Sequence, residues 1–103
     1  MMETENEILA SFTKAIGHPM RVEILRILMK QESCYCGDIV EELPLAQSTV
    51  SQHLKELKKS GLIKGTVSGK NVCYCIDFEK VNEFKTLLST IFDINIDSEN
   101  KCC

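Results

Sequence analysis

Apolar positions at Ile8, Leu9, Phe12, Ala15 and Ile16 form a one-sided stripe at helical spacing, and Gly17 closes it. His18-Pro19 follows, with proline at the first turn of a second helix. Met20, Val22, Ile24, Leu25, Ile27, Leu28 and Met29 make that helix the most apolar in the chain, so it is expected at the centre of the core, with His18 a capping or surface residue. Gln31–Gly37 reads as a connector and Asp38 as the cap of a short helix, Ile39–Leu43, which Pro44 ends. From Val50 the stripe resumes at Leu54 and Leu57, and Gly61 stands where a helix commonly terminates. Leu62–Val67 and Asn71–Ile76 read as two strands with Ser68-Gly69-Lys70 as the hairpin tip. On the second strand Val72, Tyr74 and Ile76 share one face, Cys73 and Cys75 the other. Val81, Phe84, Leu87, Leu88, Ile91 and Phe92 predict a last amphipathic helix over 79–92, followed by a polar acidic tail. The expected organisation is one domain over 1–92 and a cysteine-terminated tail over 93–103.

A chain of 103 residues that is 44% hydrophobic can bury one modest core. It has no cleavable leader pattern and no apolar run of 18 residues, so a cytoplasmic protein is expected. It also lacks a phosphate-cradling glycine loop and a plausible Ser-His-Asp set, which argues against an enzyme. The net charge of −3 is unevenly distributed. Residues 1–42 carry −4, residues 43–70 carry +4, and residues 71–103 carry −3. Five lysines against the single acid Glu56 in the middle stretch give the chain one cationic side, the footprint of a small DNA-binding protein.

That stretch also contains the chemistry for reading a duplex. Gln47, Ser48, Thr49, Ser51, Gln52 and His53 open its helix with neutral hydrogen-bonding groups, while Lys55, Lys58 and Lys59 follow behind. Such a helix suits a major groove, with base edges contacted at the front and phosphates neutralised by the lysines. Lys64 and Lys70, on the hairpin, are further phosphate candidates. By spacing alone the helix is equally a surface helix with a lysine-rich face, and the charge concentration around it favours DNA.

The run Leu43-Pro44-Leu45-Ala46-Gln47-Ser48-Thr49-Val50-Ser51-Gln52-His53-Leu54, with Leu57-Lys58-Lys59-Ser60-Gly61-Leu62-Ile63 after it, resembles the recognition-helix signature of the ArsR/SmtB family of bacterial repressors. The likeness extends back to Ala15-Ile16-Gly17-His18-Pro19-Met20-Arg21-Val22-Glu23-Ile24-Leu25. It implies a mainly α, winged helix-turn-helix fold with the β-hairpin as wing. It further implies a homodimer built by the first and last helices (residues 4–16 and 79–92) and an inverted-repeat operator in double-stranded DNA. Ala46 departs from the serine common at that position and leaves helix capping to a neighbour such as Ser48.

Six cysteines fall in three close pairs, Cys34/Cys36, Cys73/Cys75 and Cys102/Cys103. In a reducing compartment such pairs are thiols, soft-metal ligands or redox sensors rather than a disulfide framework. Thiolates without imidazole partners favour As(III), Sb(III), Cd(II) or Cu(I). The family resemblance implies an inducer site at Glu32-Ser33-Cys34-Tyr35-Cys36, with Cys102 or Cys103 completing a three-thiolate set. Here the two cysteines are displaced by one residue from the best-known arsenic-sensing arrangement, and Ile39 occupies the place of a third ligand. Cys73 and Cys75 are read first as structural and only second as ligands. Zinc sensing through the last helix is disfavoured, because residues 79–92 contain no histidine. The function expected is a repressor released from its operator by a thiophilic ion, As(III) foremost. The alternatives are a redox- or persulfide-responsive repressor, or a thiol-rich metal-binding module without an operator.

Overall fold

The computed structural model describes residues 2–31, 43–68 and 71–93. In chain order these form α1 (Met2–Ala15), α2 (Pro19–Met29), α3 (Gln47–Ser60), β1 (Ile63–Ser68), β2 (Asn71–Ile76) and α4 (Phe78–Phe92). This is a winged helix-turn-helix: helices around one core, with a single antiparallel hairpin attached. The predicted short helix Ile39–Leu43 and its cap Asp38 lie outside the described residues except for Leu43, which is buried in a bend that runs to Leu45.

The core forms where the predicted stripes converge. Ile24, Ile27 and Leu28 of α2 meet Val50, Leu54 and Leu57 of α3, with Leu62, Ile63 and Ile76 closing the hairpin side. Leu9, Phe12 and Ala15 of α1 and Phe84 of α4 complete it. The Phe12 and Phe84 rings lie 5.3 Å apart at a 35° tilt, which fixes α1 against α4. The outer flank of α2 is less covered than its composition suggested, and Met29 is exposed.

Local sequence explains most element ends. His18 caps α2, its Nδ1 accepting from Met20 N at 3.1 Å, and Pro19 occupies the first turn. Asp77 caps α4, its carboxylate accepting from the amides of Glu79 and Lys80 at 3.2 Å each. Gly61 ends α3 in the left-handed region at φ 93°. The capping expected from Ser48 is not found. Ala46 is itself the cap residue of α3, no side chain bonds the first turn, and Ser48 lies inside the helix. Helix α1 begins at Met2, ahead of the apolar stripe, because its first turns are polar and carry no periodic signal.

In the hairpin Ile63 pairs with Ile76 and Ser68 with Asn71, so two residues, 69 and 70, connect the strands. The faces of β2 are covered at opposite ends, Cys73 on one and Ile76 on the other, while Val72 is exposed.

Candidate nucleic-acid interface

Helix α3 presents two faces. Val50, Leu54 and Leu57 bury one in the core, and the other leaves Gln47, Ser48, Thr49, Ser51 and Gln52 exposed. Lys55, Lys58 and Lys59 are exposed toward its C-terminal end, and Lys64 is exposed on β1. Lys70 lies outside the described residues. With no side-chain cap, the amides at the start of α3 remain open to an anionic partner such as a backbone phosphate. Gln52 Nε2 donates to Glu56 Oε2 at 3.2 Å, which parks the amide along the helix. Helix and wing meet at Gly65. A Cβ there would lie 3.2 Å from Lys58 Nζ and 3.4 Å from Tyr74 Cε1, so its absence lets the lysine lie over the strand.

His53, expected among the base readers, is buried with 6% of its surface exposed. It is three residues after Val50 and four before Leu57, which turns it toward α2. Its Nδ1 accepts from Arg21 Nε at 3.0 Å, and its ring packs 4.4 Å from that of His18. Nε2 is buried without a partner among the described residues. Burial lowers the His53 pKa from its ordinary value, and the nearby His18 and Arg21 lower it further. A neutral imidazole held this way ties the middle of α3 to α2 from its buried side, away from the exposed front.

Arg21 is the residue of this region that sequence reasoning missed. It is half-buried, and besides its bond to His53 its Nη1 donates to Ala15 O at 3.2 Å, so one guanidinium joins the end of α1, the start of α2 and the middle of α3. Its place in the family-like stretch was the only signal, and that stretch did not reveal its partner.

The cysteines divide. Cys34, Cys36, Cys102 and Cys103 lie outside the described residues. Cys73 is buried, Cys75 is half-buried, and both are disulfide-bonded. This corrects their reading as secondary metal ligands, since a disulfide sulfur offers no thiolate. Among the described residues no three His, Cys, Asp or Glu side chains converge on a metal-sized site, and no helix is long and apolar enough to cross a membrane.

Residues 18–64 match the family described as "Bacterial regulatory protein, arsR family". The chain is 38% identical over 83 residues to an uncharacterized HTH-type transcriptional regulator of Methanocaldococcus jannaschii, covering 80% of this chain and 92% of that protein. It is 35% identical over 82 residues to the transcriptional repressor PagR of Bacillus anthracis, covering 80% and 82%. Among solved structures it is similar to the cadmium metal-sensor CMTR of Mycobacterium tuberculosis, with a TM-score of 0.56, 30% identity, and 92% and 96% of the two chains covered.

Proposed function

The chain belongs to the arsR family of bacterial regulatory proteins, a family of transcriptional regulators and not of enzymes; on that premise we propose that it is a cytoplasmic, homodimeric repressor released from its operator by a thiophilic ion. The carrying observation is the exposed front of α3. Gln47, Ser48, Thr49, Ser51 and Gln52 form a neutral hydrogen-bonding surface, with Lys55, Lys58, Lys59 and Lys64 around it. In this reading the amides and hydroxyls contact base edges, and the lysines, with Lys70, contact phosphate.

The inducer reading is supported by thiol chemistry. Cys34 and Cys36, spaced i, i+2, with Cys102 or Cys103 as third donor, offer soft ligands suited to As(III), Sb(III) or Cd(II). One similar structure is that of a cadmium sensor. Only seven residues separate Cys36 from Pro44, where the turn into α3 begins, so drawing the thiolates together would tilt the reading heads. A hundredfold release requires about 2.7 kcal/mol of coupling, within the usual allosteric range. The test titrates the reduced protein on its promoter DNA with As(III), Sb(III), Cd(II), Zn(II), Cu(I) and peroxide. As(III) is expected to release wild type, and Cys34→Ser/Cys36→Ser to bind DNA normally but ignore As(III). Release of that variant at the wild-type concentration would overturn the ligand assignment.

The disulfide-bonded state of Cys73 and Cys75 favours a second reading, a repressor responsive to thiol oxidation. In the same titration it predicts release as peroxide oxidises the two thiols to the disulfide, reversed when dithiothreitol reduces it and lost in Cys73→Ser/Cys75→Ser.

A further inference from the structure

A cavity of about 450 Å³ opens where the end of α1, the start of α2 and the last turns of α3 meet. Three cations face it, Lys14, Arg21 and Lys59, against a single acid, Glu56. Glu56 already accepts from Gln52, and the one ion pair among the described residues is Lys80–Glu83, on α4. Arg21 therefore lies half-buried with an imidazole and a carbonyl as acceptors and no carboxylate. Its second terminal nitrogen, Nη2, makes no hydrogen bond to any described residue. A half-buried guanidinium with a donor edge left open, lining the cavity with two lysines and facing no carboxylate partner, is a ready seat for an oxyanion.

We propose that this cavity binds a small organic anion through a carboxylate or phosphate group. The group pairs with the open edge of Arg21, and Lys14 and Lys59 flank it. The guanidinium fork suits both oxyanions, and the volume admits a small metabolite as well as a bare ion. Lys59 lies twelve residues beyond Gln47, about 18 Å along the helix axis, and the cavity meets the base-reading front only at Glu56, which accepts from Gln52. Occupancy would nonetheless be felt there, because the guanidinium that receives the anion also holds His53 in the middle of α3. The site depends on the repressor reading only for this consequence. Binding itself is independent of it.

The test is made first without DNA. Citrate and glycerol 3-phosphate, with glycerol as the neutral control, are titrated into the full chain at constant ionic strength. Binding is read by calorimetry and by the Arg21 Nε–H resonance. At least one anion is expected to bind below about 10 mM and to shift that resonance, while glycerol does neither. Lys14→Glu, at an exposed position outside the DNA-contacting set, is expected to weaken binding about tenfold or more with an unchanged thermal midpoint. Arg21→Lys is expected to weaken it as well, by removing the fork. Absence of anion binding, equal binding by wild type and Lys14→Glu, or equal displacement by chloride would overturn the proposal. A second arm measures operator DNA. If Lys14→Glu lost DNA affinity, the cavity would be a seat for a backbone phosphate, and the free-effector assignment would fail. Failure to bind any operator while the anion still bound would instead strike the repressor reading and leave this site standing.

Discussion

His53 and Arg21 touch through a hydrogen bond in which only the arginine carries charge. The lowered pKa of His53 means the folded protein resists protonating it, whereas the unfolded chain takes up a proton near the ordinary histidine value of about 6.5. Below that value the unfolded state binds more protons, so stability falls on acidification until the native group also titrates; above it the residue contributes no pH dependence. His53→Gln, which retains an acceptor for Arg21, should flatten this loss. Urea midpoints of the two proteins between about pH 7.5 and about pH 5.5 measure it, and identical slopes would exclude His53 as the source. At the reading face, Gln52→Ala should cost about 1–3 kcal/mol at particular base pairs. Lys64→Ala should weaken all sequences alike and reduce the salt slope by about one. Affinities on operator variants at several salt concentrations separate the two. Unchanged base preference in Gln52→Ala would mean that a different face of α3 reads the operator.

Gly61 shows how an element end can carry energy without a contact. At φ 93° it ends α3 and turns the chain into β1, and a Cβ there would meet Lys80 Cγ at an ordinary 3.5 Å. Space is therefore available, and the cost of Gly61→Ala is torsional, about 1 kcal/mol. For a domain of this size the thermal midpoint should fall by about 4–8 °C. Calorimetry showing no change would mean the turn relaxes to negative φ. This glycine was legible in the sequence because it follows a lysine-rich last turn, and α2, the body of α3, the hairpin and α4 were legible through their apolar periods. The first turns of α1 were not, since Thr4, Glu5, Asn6 and Glu7 bury nothing. His53 has the core spacing of Val50 and Leu57 and is buried with them, but a polar imidazole reads as a surface group, so spacing and chemistry point to opposite faces. Its partner Arg21 is 32 residues away, and no local pattern selects a partner at that separation. Ala46 was legible as a departure from the family pattern, but the helix tolerates the missing cap where a side-chain substitute had been expected.

At the scale of the whole molecule, charge and apolar surface lie on different parts of the chain. The +4 stretch, residues 43–70, contains α3, while α4 leaves Phe78, Ile91 and Phe92 exposed. Ile91 is 55% and Phe92 68% exposed beside an apolar groove of about 470 Å³ that Leu9, Ala10 and Leu88 also line. Exposed aromatic and aliphatic side chains next to an apolar groove are what a second copy would cover. A two-fold dimer would place two α3 helices about 34 Å apart, one turn of duplex, and so require an inverted repeat. Ile91→Asp/Phe92→Asp should therefore sediment as a monomer. Its helix content should be retained, because Phe84, the buried residue of α4, is untouched. On a single half-site the variant should match wild type, since each head still makes the same contacts. On the full operator it should lose about 10²–10⁴ in affinity, the share owed to joining two heads. A variant that stayed dimeric, or a monomer that bound the full operator as tightly as wild type, would place the interface elsewhere or make the second head dispensable.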